Sequence, residues 1–216
     1  TKKIHFLGLK NLIKILNLKK LDLFIQAGSS LEYGKLSSPQ KERKICSPIS
    51  SYGKVKCMSS EYLLKSLKNK AIILRLYQIY GPYQKFDRLI PQVIRSCLKN
   101  KKFTCSEGTQ LRDFLYVDDL VALFSKIIQN KEMKNGIFNV GSGKPVSVRK
   151  IIEIIQALIK KGSPIYGKIK MRSDEIQKLY PNISKVRKNF NWKPKISILS
   201  GIKRTINYYK KNLPKN

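Results

Sequence analysis

Apolar positions along the chain alternate between helical spacing and short continuous runs. Leu9, Leu12, Ile13 and Leu16 recur at helical spacing and predict a helix over 8–19. The run from Leu21 to Gly28 predicts a buried strand, followed by a polar loop over 35–50 that contains Pro39 and Pro48. A helix over 51–68 opens with Ser51 as its N-cap and turns Val55, Tyr62, Leu63 and Leu67 inward. Ala71 to Tyr77 is apolar throughout apart from Arg75, as expected of a parallel strand covered on both faces. Further on the pattern predicts a helix over 89–99, short strands at Phe103 and at Phe114–Tyr116, and a helix from Asp118 to Gln129 with acidic residues at its start. A strand over 136–140 ends at Gly141-Ser142-Gly143, a helix opened by Ser147 covers 147–160, and two tail helices fall near 183–190 and 198–210. Strand–helix alternation of this kind argues an α/β fold with a parallel sheet.

With 216 residues and 42% hydrophobic content, the chain can build one large domain or one and a half small ones. No stretch reaches the ~18 consecutive apolar residues of a membrane span. Residues 1–30 lack an uninterrupted apolar core and a small-residue cleavage site, so no signal peptide is expected. Cys46, Cys57, Cys97 and Cys105 form no Cys-x-x-Cys pair and read as reduced thiols of a cytoplasmic protein. A single histidine, His5, argues against a histidine metal site or a serine–histidine triad. The net charge of +32 raises the question of nucleic acid. Lysine outnumbers arginine 36 to 9, however, the lysines are scattered from Lys2 to Lys215, and no ordered nucleic-acid motif is present. The charge therefore reads as lysine-rich usage on solvated faces, with specific nucleic-acid binding as the lesser alternative.

The residues that point to chemistry are Ser29, Tyr52 and Lys56. Ser29 ends the first apolar run at a Gly-Ser-Ser turn. Tyr52 and Lys56 lie four residues apart at the start of an amphipathic helix, so phenol and ammonium share a face. A hydroxyl, an acidifiable phenol and a nearby cation suit proton transfer coupled to hydride transfer. Spacing alone is weak support: 11 tyrosines and 36 lysines in 216 residues give roughly two chance Tyr-x-x-x-Lys matches. Two occur. Tyr166/Lys170 lies in a loop-like stretch and reads as chance, whereas Tyr52/Lys56 follows a helix start and the serine turn.

Six blocks in register resemble one family. They are Gly28-Ser29-Ser30-Leu31-Glu32-Tyr33-Gly34, Ser51 to Lys56, Leu74 to Pro82, Arg112 to Asp119, Phe138 to Gly143, and Asn191-Trp192-Lys193-Pro194. Together they resemble the extended short-chain dehydrogenase/reductases, the NAD-dependent epimerase/dehydratase family that acts on nucleotide sugars. The resemblance implies the C-terminal portion of a Rossmann-like doubly wound parallel sheet with a smaller α/β substrate-binding domain. Residues 1–84 and 117–160 would form the nucleotide-binding part, and 85–116 and 161–216 the sugar-binding part. The family's Gly-x-x-Gly-x-x-Gly turn is not in this chain, and Gly141-Ser142-Gly143-Lys144-Pro145 does not replace it. About a hundred further N-terminal residues are therefore expected in a complete member.

The resemblance makes Tyr52 the acid/base at a sugar carbinol or ketone, with Ser29 bonding the reacting oxygen and Lys56 holding the nicotinamide ribose of NAD or NADP. Lowering a phenol from about 10 to near 7 takes roughly 4 kcal/mol, which Lys56 and an oxidised nicotinamide would supply. Tyr80-Gly81-Pro82 resembles the turn under the nicotinamide. On the substrate side, Ser30 follows the reactive serine, Arg112 and Arg172 resemble diphosphate-gripping arginines, and Gln78 and Arg88 stand where many relatives have asparagine. His5 also falls at a family asparagine, while Asp113 and Asp118 read as loop-holding and helix-capping residues. Dehydratases and decarboxylases of the family carry carboxylates where this chain has Ser30 and Leu31. Glu32 comes one position later, on the other side of an extended chain, and is expected to face away. A 4-epimerase or 4-keto-sugar reductase remains, and the resemblance implies a role in cell-surface polysaccharide synthesis, acting on a nucleotide-diphosphate sugar as a cytoplasmic homodimer. The alternative is a non-catalytic remnant that needs a partner chain.

Overall fold

The computed structural model describes residues 2–130, 132, 134–171 and 173–213. A π-helical turn, Lys3–Leu7, leads into α1, Gly8–Ile15. The helix ends earlier than its apolar spacing suggests because Asn17 takes over: its side chain accepts the Lys19 N–H and its carbonyl the Lys20 N–H, closing a turn. Strand β1, Phe24–Ser29, begins where its neighbour begins, since Phe24 pairs with Ala71. Helix α2 runs Ser51–Leu67. Its N-cap is Ser50, not Ser51: Ser50 has extended backbone and its hydroxyl accepts the Gly53 N–H at 3.0 Å.

The remaining elements follow in order: β2 Ala71–Leu76, β3 Gln78–Tyr80, α3 Leu89–Leu98, β4 Lys102–Thr104, β5 Leu111–Tyr116, α4 Val117–Gln129, β6 Gly136–Val140, β7 Pro145–Ser147, α5 Val148–Ile159, β8 Ser163–Ile165, β9 Lys178–Leu179, α6 Ser184–Phe190 and α7 Ile198–Asn212. Strands β1, β2 and β6 form a parallel sheet with β2 in the centre. Side chains of β2 alternate between its faces. Ala71 and Ile73 meet Leu9 and Ile13 of α1 and Leu63 and Leu67 of α2, while Ile72 and Leu74 meet Leu123 and Ile127 of α4 and Val186 and Phe190 of α6. This two-sided cover explains why β2 reads as an unbroken apolar run.

A second core lies beside the sheet. Strand β5 pairs with β3 and β9 in parallel and with β7 antiparallel. Leu115 joins the core of the parallel sheet, while Phe114 and Tyr116 join Ile94 and Cys97 of α3, Ile151, Ile152 and Ile155 of α5, and Ile202 and Ile206 of α7. Helix α5, assigned from the sequence to the nucleotide-binding part, thus packs with α3 and α7, and α6 packs on the parallel sheet. The apolar stripe of α5 packs against α3 and α7 and against Phe114 and Tyr116 of β5. Asp113 holds a loop as expected, accepting the Gly143 N–H at 2.7 Å. Asp118 does not cap α4; it is exposed and pairs with Arg204. Its neighbour Asp119 is buried and accepts the N–H groups of Lys195 and Ile196. Among the described residues no helix is long and apolar enough to cross a membrane.

Candidate active site

The C-terminal ends of β1 and β2, the start of α2 and the segment after β3 enclose a cleft of about 920 Å³ lined by Ser29, Ser30, Tyr52, Lys56, Gln78 and Arg88 among others. Parallel strands end there in register, Ser29 opposite Leu76, and the carboxyl end of such strands is the usual ligand side. Gly53 sets how closely α2 approaches. A Cβ at this position would lie 2.4 Å from the Leu31 carbonyl oxygen, so only glycine lets the tyrosine-bearing helix rest on the serine turn.

Ser29 is buried, and its hydroxyl accepts the Leu31 N–H at 3.2 Å. That bond occupies a lone pair and leaves the hydroxyl proton to donate. Lys56 is buried and its ammonium donates to the Ala27 carbonyl at 2.8 Å, with burial lowering its pKa and Glu32 opposing. A lysine has three donors, and no further acceptor is found for Lys56 among the described residues. Tyr52 is 37% exposed, and the Lys56 ammonium sits 5.7 Å from its ring centroid. The protein's own groups do not acidify this phenol: burial raises its pKa, Glu32 adds to the rise, and Arg88 opposes it. His5 packs edge-on against Tyr52 with ring centroids 5.5 Å apart, while its backbone carbonyl accepts the Ser59 hydroxyl. Burial and the Lys56 charge lower the imidazole pKa, which favours the neutral ring.

Glu32 stays out of the cleft, as expected, but by a different route from the one the sequence suggested. Ser30–Glu32 is a turn of 3-10 helix, not extended chain, so strand alternation does not apply. The carboxylate folds inward under Ser29, is wholly buried, and meets Arg75 at 2.9 Å. The pattern Ser29-x-x-Glu32 is a capping box, and that signal could have located it. Glu32 does not line the cleft. Asp87 is the one carboxylate that does among the described residues, and it is exposed, 3.9 Å from Arg88.

Other sequence candidates divide between cleft and framework. Tyr80 touches the cleft but is buried against Phe114 and Tyr116. Gly81 and Pro82 do not line it, and Gly81 packs on Val117. Leu31, Ser50 and Gln78 also border a second cleft of about 260 Å³ that Arg112 enters. Arg112 is largely buried and already paired with Glu175 and the Leu111 carbonyl. Arg172 lies outside the described residues. Sequence reasoning passed over Gln84 and Lys85, which line the main cleft on the loop after β3.

Comparison with known proteins gives a consistent set. A model of the NAD dependent epimerase/dehydratase family matches residues 1–141. The chain is 34% identical over 214 residues to the UDP-glucuronate 4-epimerase of Thermodesulfobacterium geofontis, covering 96% of this chain and 64% of that protein. It therefore spans slightly less than two thirds of that relative. The crystal structure of UDP-glucose 4-epimerase from Thermotoga maritima with UDP-glucose superposes with a TM-score of 0.89 at 24% identity, covering 97% of this chain and 70% of that one. The UDP-glucuronic acid 4-epimerase of Bacillus cereus, in complex with UDP-glucuronic acid and NAD, superposes with a TM-score of 0.86 at 28% identity, covering 96% and 67%.

Proposed function

The chain belongs to the NAD dependent epimerase/dehydratase family, and from that premise we propose that it acts as a nucleotide-sugar 4-epimerase using NAD. One observation carries the reading: Ser29, Tyr52 and Lys56 line a single cleft, while Glu32, the carboxylate nearest in sequence, is turned beneath it. Elimination of water or carbon dioxide calls for an acid–base carboxylate beside the hydroxyl residue, and Ser30 and Leu31 provide none.

The residues present fit the nicotinamide end of the cofactor. Lys56 has two N–H donors left for ribose hydroxyls, and Tyr52 lies on the same helical face. When bound, NAD supplies a hydride acceptor and the positive charge of its oxidised ring. Tyr52 takes the proton of the sugar 4-hydroxyl and returns it to the ketone oxygen after the sugar has presented its other face. Ser29 donates to that same oxygen and holds it against the phenol. Gln78, which borders both clefts, and Arg112, which lines the second, would hold the diphosphate in this reading, with Glu175 the group it would displace.

The parallel sheet with α1, α2, α4 and α6 is read as the nucleotide-binding part, and the core of α3, α5 and α7 as the sugar-binding part. A cytoplasmic homodimer serving polysaccharide synthesis completes the reading, and exposed Met58 on α2 with Ile15 on α1 are apolar groups that such a dimer would cover. A 4-keto-sugar reductase would use the same three side chains, and cofactor balance separates the two. Protein expressed from the complete reading frame should interconvert UDP-glucuronate or UDP-glucose with its 4-epimer, followed by NMR, with no net NADH formed. Net consumption of NADH or NADPH with a 4-keto sugar would establish the reductase, and neither reaction across a nucleotide-sugar panel would defeat the proposal.

Arg88 gives a pH test. Its cation lowers the Tyr52 pKa, so Arg88→Ala raises it, and a step that needs phenolate then reaches half-maximal rate at higher pH. A profile that stays in place, or moves toward acid, would show that the Tyr52 phenol does not set that limb.

A further inference from the structure

Tyr52, Lys56 and Ser60 are spaced by four residues along α2 and so fall on one face of the helix. The first two line the cleft. The third points at a buried carboxylate: the Ser60 hydroxyl donates to Glu32 Oε2 at 3.0 Å. The same oxygen accepts Arg75 Nε at 2.9 Å, and Oε1 accepts the Ser29 backbone N–H at 2.8 Å. Glu32 therefore joins the turn that carries Ser29, the helix that carries Tyr52 and Lys56, and the central strand β2. Gly28 leaves room for this, because a Cβ there would lie 2.8 Å from Glu32 Oε1.

The arrangement is poorly suited to stability alone. A buried ion pair gains little over well-packed apolar side chains. Arg75 also has a buried Nη1 with no partner among the described residues, although its guanidinium stacks 4.4 Å over Tyr33 and its Nη2 reaches Cys46 Sγ. What the network does provide is geometry, since three elements that meet at the reactive groups are tied to one carboxylate with two fixed oxygens. We infer that Glu32, held by Arg75, is a positioning residue that sets the Ser29 hydroxyl in register with Tyr52 and Lys56 through its paired bonds to the Ser29 amide and the Ser60 hydroxyl. This rests on the reading of those three side chains as the reactive group.

The test uses protein from the complete reading frame with NAD and UDP-glucuronate or whichever nucleotide sugar it turns over. Ser60→Ala leaves the ion pair in place and cuts only the tie to α2. It should lower kcat roughly tenfold with KM little changed, because misplacement of reacting groups acts on the chemical step. Glu32→Gln should lower kcat further, and amide hydrogen exchange at Ser29 should quicken in both variants. If Glu32→Gln does not fold, Ser60→Ala carries the test. Variants that lose thermal stability but keep the parent kcat and Ser29 exchange rate would reduce Glu32 to a structural ion pair and overturn the inference. Tyr52→Phe is run in parallel: if it keeps full turnover, the assignment of the reactive group is what fails, and the Ser29 exchange rate still decides whether Glu32 holds the turn.

Discussion

Tyr52→Phe should reduce turnover by about 10²–10⁴-fold, the usual worth of a general acid–base, while leaving the melting midpoint close to that of the parent. The two halves of this expectation have separate grounds. The Tyr52 hydroxyl makes no hydrogen bond among the described residues, so removing it leaves no buried group unpartnered. The ring keeps its edge-on contact with His5 and its place beside Lys56 in the variant. Chemistry has no substitute for the lost oxygen. Ser29 has a hydroxyl near the same cleft, but an aliphatic alcohol is far too weak an acid to hold the proton between steps, and Lys56 is bound to the Ala27 carbonyl. Steady-state turnover and a thermal melt on the same preparation check both halves. A variant within tenfold of the parent would remove Tyr52 from the mechanism. A variant that unfolds would show that the hydroxyl has a structural role beyond the contacts described above.

Much of this site was legible before any coordinates. The Tyr52/Lys56 spacing and the Gly-Ser-Ser turn are local features, and local features survive tertiary context. The same holds for α3 and α5, whose apolar stripes are strong enough to stand without knowledge of their partners. Strands β3, β7, β8 and β9 were not legible, because two or three residues carry no periodicity and owe their shape to pairing with distant chain. Glu32 was read correctly as turned from the cleft, but on the wrong ground. Alternation was applied one residue beyond the strand, across a point where the backbone turns into 3-10 helix. The carboxylate then lands in the interior, where Arg75, forty-three residues further along, is the cation that makes its burial tolerable. The packing of α5 beside α3 and α7 was not legible for a third reason: an amphipathic helix announces that it has an apolar face, and does not announce which core will cover it.

Trp192 carries the second large effect, this time on stability. Trp192→Ala should cost about 3–5 kcal/mol, the range for truncating a buried tryptophan, and lower the melting midpoint by on the order of 10 °C for a chain of this size. The residue follows α6, where Asn191 adopts left-handed backbone and turns the chain back into the protein. The indole is buried among Val186, Phe190 and the α4 side chains on the outer face of the parallel sheet, and its N–H donates to the Asp119 carbonyl at 3.0 Å. Asp119 in turn accepts the N–H groups of Lys195 and Ile196, so one short segment is fastened to α4 by three hydrogen bonds. Trp192→Phe separates the contributions: it keeps most of the packing and loses the one N–H, and should cost nearer 1 kcal/mol than the full amount. Equal losses in the two variants would place the stabilisation in the hydrogen bond. A shift below about 2 °C in Trp192→Ala, less than one kcal/mol on the same scale, would mean that the segment after α6 is not part of the core at all. Trp192 does not line the candidate cleft, so surviving Trp192→Ala protein should retain the parent KM and kcat below its melting range, which distinguishes this anchor from the network beneath Ser29.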